Sequence, residues 1–458
     1  MATHDEPFGG DADETAVISR AERREVYTAH RREESTRTSR LRLPVGLPVE
    51  RTYEGAAATT AFVALILVVL EIVTDVLPDA PIFWVFTPVR VVILIGLAAA
   101  ALSGLPAKRW LTPLDIPIVV LFLATSFATL IKGVGFAPIR GLLTSIAVYY
   151  LAVAVRRSDP ASWHGWTALS FIGVATSSLI ALDQFISRTP TGFCRASLDG
   201  TRDACSQSGA MVRSIGTFSN PNLLVAFLVL ALPFALAWVL AQKGTTRTVG
   251  WVVIVAGYLA VLTTLSRGGI IAAIVGLGCF LLLRTPTRSR LLGVLGGIVV
   301  VVAGAVIAAV LGRAVGLRTD VWGAALWVAS HNPLGVGLGR AGPSISAADP
   351  GDRVYQHAHN LWLNWLVEGG WLALLAVIAV TVMAAWFCLQ AARRGAVAAV
   401  ATGASLGGFA VLCLADHPAN GARIAMLMWA VLALAATSWE PVERRPLAPG
   451  SRAARRAA

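Results

Sequence analysis

Twelve long apolar runs dominate this chain, at about residues 57–77, 82–102, 113–131, 137–155, 165–185, 222–241, 249–266, 268–284, 291–311, 360–388, 397–415 and 422–438. A run of about 20 apolar residues is enough to cross the hydrocarbon core of a bilayer as a helix. Backbone polar groups in a bilayer must be satisfied within their own segment or in a closed barrel, and runs of this length select helices. With 56% hydrophobic and only 14% charged residues, the composition also lies outside the range of soluble domains. The expected fold class is all-α: a polytopic integral membrane protein with about 12 transmembrane helices and a large extracytoplasmic loop between the ninth and tenth.

The net charge of +12 would point to nucleic acid in a soluble protein, but here it sorts by loop. Lys108 with Arg109, Arg156 with Arg157, Lys243 with Arg247, Arg284 with Arg288 and Arg290, and Arg393 with Arg394 follow the even-numbered spans. Nine arginines precede the first span and five follow the last, so one face holds most of the basic residues. The positive-inside rule makes that face cytoplasmic, both termini included. Nucleic acid is not an expected partner; membrane lipids are. Residues 1–54 are rich in Arg, Asp and Glu and have no apolar core, which reads as a disordered cytoplasmic tail rather than a signal peptide. Residues 55–438 form the membrane domain and 439–458 a basic cytoplasmic tail.

The opposite face then carries two long polar loops, about 186–221 and 312–359. Connections of that length are more than turns. Cys194 and Cys205 share the first loop, whereas Cys279, Cys388 and Cys413 lie in apolar runs. A disulfide between Cys194 and Cys205 is expected if that loop is extracytoplasmic. Thirteen basic residues run against the positive-inside trend, among them Arg90, Arg140, Arg213, Arg267, Arg318, Arg340 and Arg423. They read either as an anionic-ligand site or as a solvated outer surface. Glu71, Arg90, Arg140, Asp183, Arg267 and Glu368 all fall in the outer halves of their spans. Ionisable groups at such depth are costly and mark functional candidates, so an outward polar cavity is expected. Snorkelling or structural ion pairs are the other reading of each residue.

Three short polar segments meet on this face. In Gly216-Thr-Phe-Ser-Asn-Pro-Asn222, Ser219 or Asn220 can cap a helix with Pro221 at its first position, which also presents a helix N-terminus to an anion. In Ser266-Arg267-Gly268-Gly269, a tight turn holds an arginine suited to bidentate phosphate binding. The third segment starts at Arg318 with a short surface helix through Val321, Ala325, Leu326 and Trp327. It continues through glycines Gly335, Gly337 and Gly339, which permit a phosphate nest, and ends at His357 and His359. An imidazole at the water boundary can act as a base; a pair at this spacing can also bind metal or merely cap the next helix.

Taken together, these segments resemble the O-antigen ligase and polymerase superfamily of bacterial envelope glycosyltransferases, over roughly residues 57–438. The resemblance rests on FSNPN before a helix, an SRGG turn, an arginine leading to NPLGVGLG, and HAHN entering a helix with EGG. It implies a hexosyltransferase whose donor is an undecaprenyl-pyrophosphate-linked glycan and whose acceptor is a glycan, lipid or protein hydroxyl. The resemblance further implies an inverting displacement that uses no nucleotide sugar, no metal and no cofactor. Matching motif positions gives His359, Arg318 and Arg267 as catalytic residues. Arg90, Arg140, Arg213, Asn220, Asn222, Arg340, His357 and Asn360 are the expected substrate contacts, and His357 remains a rival for the role of base. A transporter or lipid-glycan flippase is the alternative, since an outward polar cavity suits it equally; polar residues near the midplane and matching broken helices would favour it. A cell-wall glycan polymerase would instead need a loop carboxylate, for which Asp320, Asp349 and Asp352 are available.

Overall fold

The computed structural model describes residues 55–195, 210–285 and 316–439, apart from positions 79, 84, 350 and 352. The regular structure of the described residues is all-α apart from one pair of two-residue strands and an isolated bridge between Phe83 and Phe86, with short 3-10 turns at Ala107–Arg109 and Pro418–Asn420. Its helices are α1 (Gly55–Thr74), α2 (Pro88–Leu102), α3 (Asp115–Ile131), α4 (Ala137–Ser158), α5 (Ser162–Ile186), α6 (Pro221–Ala241), α7 (Gly244–Thr263), α8 (Arg267–Arg284), α9 (Gly316–His331), α10 (Ala341–Ala348), α11 (Leu361–Arg393), α12 (Val397–Cys413) and α13 (Ala422–Ser438). Seven of them, α1, α4 to α8 and α11, are long and apolar enough to cross a membrane, and α2, α3, α12 and α13 are shorter apolar helices. Each expected span in the described residues therefore has a helix. The ninth, 291–311, lies outside the described residues, as do the expected tail 1–54 and, beyond Trp439, the expected tail 439–458.

Helix α6 is the hub. Nearly every residue from Leu224 to Val239 is buried, with α5, α7, α8 and α12 packed around it. Small residues bring these backbones together: a Cβ on Gly269 would lie 2.4 Å from Val225, and one on Gly408 would lie 2.8 Å from the Ala272 carbonyl. In an apolar environment such close approach supplies dispersion contacts that a hydrophobic effect cannot. The Ser405 hydroxyl adds a donated bond to the Leu230 carbonyl at 2.7 Å.

Both ends of the bundle are laced by arginine. At one, Arg157 donates to the Leu111 carbonyl at 2.8 Å, and Arg394 donates to the Trp439 carbonyl at 3.0 Å while lying over its ring. At the other, Arg423 donates to the carbonyls of Ile72 and Thr217, each at 2.8 Å, pairs with Asp75 at 3.2 Å and covers the Phe218 ring.

The cysteine-bearing loop is pinned at its base, where β1 (Cys194–Arg195) pairs antiparallel with β2 (Met211–Val212). Cys194 is disulfide-bonded; Cys205 lies outside the described residues, and Cys279, Cys388 and Cys413 are free. Cys194 is expected to resist a membrane-impermeant maleimide on intact cells until reductant is added. Labelling without reductant would contradict the bond.

Candidate functional site

The site forms where the chain enters α11. Asn360 is the N-cap: its Oδ1 accepts from Leu363 N at 3.0 Å, and its Nδ2 donates to the Leu414 carbonyl at 3.1 Å. The cap thus ties this junction to the end of α12. His359 just before it has φ +49°, in the left-handed region that non-glycine residues seldom occupy. Backbone outliers of this kind persist where the surroundings hold them. The turn brings the His357 and His359 rings together, with centroids 4.4 Å apart.

Both imidazoles face one carboxylate oxygen. His357 Nε2 lies 3.0 Å and His359 Nδ1 3.4 Å from Asp416 Oδ1, which also accepts from His417 N at 2.8 Å. Asp416 sits in the turn after α12. Its side chain is 9% exposed, against 15% for His357 and 30% for His359. Burial alone would raise this carboxyl, but hydrogen bonds from His357 and His359, together with their charge, hold it well below the usual carboxylate range. His417, fully buried against His357 and Trp365, is pushed down to about 3 by burial and then by the charge of His357, so it is a neutral packing residue.

The arrangement treats the two histidines differently. The second nitrogen of His357, Nδ1, is buried without a hydrogen-bond partner. His359, bonded through Nδ1, keeps Nε2 as its other ring nitrogen and is the more exposed of the two. A carboxylate at Nδ1 selects the tautomer that leaves the Nε2 lone pair available to take a proton.

Arginines stand at the same end. Arg318, in the first turn of α9, is half-buried; burial lowers its pKa, the Asp416 charge raises it, and the neighbouring Arg267 charge lowers it. The loop helix, the start of α8 and the turn after α12 thus share one electrostatic neighbourhood. Arg267 opens α8 behind Ser266, whose Oγ accepts from Gly269 N at 3.4 Å. Next to that turn, Arg213 donates to the Thr264 carbonyl at 2.8 Å and approaches Asn222 Oδ1 at 3.4 Å. Asn220 is the N-cap of α6, its Oδ1 accepting from Asn222 N and Leu223 N at 2.9 Å each. Asn220→Ala is expected to cost about 1 kcal/mol of stability, read as a small drop in Tm; an unchanged Tm would show the cap to be idle.

Other expected contacts divide. Arg90 is engaged by its own surroundings, donating to the Val85 carbonyl at 2.7 Å and Thr144 Oγ1 at 3.2 Å. Arg140 on α4 keeps a buried Nε without a partner. Arg340 is exposed at the start of α10. Glu71 accepts from Leu77 N at 2.9 Å, while Asp183 accepts from Ser187 Oγ at 3.1 Å. Among the described residues neither is paired with arginine.

Two readings of the loop are corrected. The surface helix forms, but Val321 and Ala325 are buried whereas Leu326 and Trp327 are exposed, so the four do not share a face. The glycine run is not a phosphate nest, because its amides are already used. Val336 N and Gly337 N donate to the carbonyls of Val367 and Glu368, Leu338 N to Thr129 Oγ1 and Gly339 N to Glu368 Oε1, all at 2.9–3.0 Å. Loop carboxylates are similarly committed: Arg353 pairs with Asp349 at 2.9 Å and Asp320 at 2.8 Å, and Tyr355 Oη donates to Asp349. Asp352 lies outside the described residues.

Residues 251–378 match the O-antigen ligase family. Over that stretch the chain is similar to the O-antigen ligase and polymerase superfamily. The chain is a multi-pass membrane protein with an O-antigen ligase-like domain. No curated protein matches the chain significantly. The O-antigen ligase match runs from α7 into α11 and contains Arg267, Arg318, His357, His359 and Asn360. Asp416 falls beyond it. The sequence offered an Asp-His pair at the end of the eleventh apolar run, but nothing in the spacing ties it to histidines 57 and 59 residues upstream.

Proposed function

We propose that the chain is a membrane glycosyltransferase that moves an undecaprenyl-pyrophosphate-linked glycan onto an acceptor hydroxyl, or onto another glycan, at the outer face of the cytoplasmic membrane. The observation that carries this reading is the shared Asp416 carboxylate, which orients His359 with Nε2 available while Arg318 and Arg267 stand in the same neighbourhood. In the reaction, the acceptor oxygen attacks the anomeric carbon from the face opposite the lipid pyrophosphate. Its proton passes to His359 Nε2, the carbon–oxygen bond to the pyrophosphate breaks, and the anomeric configuration inverts. Asp416 stabilises the imidazolium that results. Charge grows on the departing pyrophosphate, and fixed guanidinium groups in a partly dry site stabilise it more than water would. Arg318 and Arg267 fill that role, so the step needs no metal.

The test is transfer by the purified full-length protein in vesicles, with a lipid-pyrophosphate glycan as donor and a chelator present. Product of inverted configuration is expected; no product with any lipid-linked donor would overturn the reading. Deletion of the gene separates the two forms of the activity. Single repeat units left on the lipid mark a polymerase, long chains a ligase, and no lipid-linked accumulation would favour a transporter or another donor.

A further inference from the structure

We propose that His357, His359 and Asp416 also form a binding site for a divalent cation of the zinc class, and that an ion bound there takes His359 out of service as a base. The consequence for catalysis rests on the function proposed above; the binding itself does not.

The geometry is the first argument. His357 Nε2, His359 Nδ1 and Asp416 Oδ1 all lie within 4.8 Å of one another. The two nitrogens are 3.0 and 3.4 Å from the oxygen. Zinc bonds of about 2.0–2.1 Å to nitrogen and oxygen place tetrahedral ligand atoms roughly 3.3 Å apart, so the two nitrogen–oxygen edges already fit such a face, and the nitrogen–nitrogen edge, within 4.8 Å, is closed by rotation of the imidazoles. Ligand type is the second argument, because two imidazoles and one carboxylate suit zinc and its transition-metal neighbours rather than magnesium or calcium. The third is the backbone. The left-handed turn at His359 and the Asn360 cap hold both rings on Asp416, and Asp416 Oδ1 is itself fixed by His417 N. The exposed side of His359 leaves the fourth position to water, as in zinc sites that keep one open ligand.

The ion would displace the proton that His359 Nδ1 shares with Asp416 and convert the carboxylate that stabilises an imidazolium into a metal ligand. A metal-bound His359 cannot gain stabilisation from Asp416 when it takes up a proton. The Arg318 and Arg267 charges oppose a cation here, so binding is reversible and weaker than at a structural zinc site.

The experiment uses full-length protein in nanodiscs, stripped with chelator and titrated with zinc in the absence of any glycan. Wild type is expected to take up about one ion per chain, with X-ray absorption showing two imidazole ligands in its first shell. Asp416→Asn and His359→Ala lose that ion, whereas His331→Ala, which alters a histidine whose ring lies tilted against Trp327 outside the cluster, keeps it. Unchanged uptake in both cluster variants, or a first shell without two imidazoles, would overturn the site. Helical circular dichroism and a monodisperse elution profile certify the variants as folded; should Asp416→Asn fail that check, His359→Ala and His357→Ala decide the question. In the transfer assay, zinc is expected to abolish activity and chelator to restore it. Full activity with the site occupied would overturn the masking of the base. A chain that binds the ion but transfers no glycan would sink the proposed function and leave the metal site standing.

Discussion

His359→Ala leaves an inserted, folded protein whose glycan transfer falls by roughly 10²–10⁴-fold, the usual contribution of a positioned general base. The nucleophile is a neutral hydroxyl, and without His359 its proton has no acceptor in place as the bond to the anomeric carbon forms. Asp416→Asn tests the same step by another route. Asparagine can accept from one histidine, but it lacks the charge that stabilises the imidazolium, so kcat falls while KM for the donor changes little. His357→Ala removes one of the donors to Asp416 Oδ1 and leaves His359 bonded to it, so its loss is smaller than that of His359→Ala. Arg318→Ala and Arg267→Ala each lower the rate by about 10²–10³-fold, as when one oxyanion-stabilising donor is removed. Groups that act on one transition state are not additive, so a double variant of His359 and Arg318 falls little further than the worse single one. Wild-type rates from His359→Ala in the vesicle assay would remove it as base. A dead His357→Ala beside an active His359→Ala would move the role to His357.

How far the sequence reveals this site follows from which of its interactions are local. Apolar length and the alternation of basic turns are local properties, and α1 to α8 and α11 to α13 fall where those patterns place them. Caps are local too, because a helix start satisfies its first amides within three residues; Asn220 and Asn360 both behave as capping chemistry requires. Asp416 is the opposite case. Its partners stand 57 and 59 residues away across a 33-residue helix and the whole of α12, and only packing brings them together. The glycine run misleads for a related reason. Free amides with positive φ are compatible with a phosphate nest, but whether they remain free depends on α11, where a kink leaves carbonyls without helical partners.

That kink supplies the second large effect. Gly370 interrupts α11 with φ +71°, ψ −167°, so the carbonyls of Val367 and Glu368 turn away from the helix and accept from Val336 N and Gly337 N at 2.9 Å. Trp371 N, freed by the same break, donates to the Pro333 carbonyl at 3.2 Å. The loop therefore satisfies the polar groups that the broken helix exposes, where leaving them unpaired in an apolar surround would be costly. The two backbones can approach this closely only without side chains between them. A Cβ on Gly370 would lie 2.2 Å from the Pro333 carbonyl oxygen, and one on Gly335 would lie 2.4 Å from that of Glu368. Neither neighbour is the end of a flexible side chain, so one backbone must move. Gly370→Ala is expected to destabilise the protein by about 3 kcal/mol or more, combining left-handed strain with overpacking. It should also lower transfer in the fraction that folds, because this loop joins α9, which carries Arg318, to the helix that follows His359. Gly278→Ala on α8 is the matched control: an added Cβ there meets nothing within 4 Å, and alanine favours a helix by about 0.5–1 kcal/mol over glycine. Thermal unfolding in detergent reads both, and a Gly370→Ala protein that melts with the wild type would show that the loop does not depend on the kink.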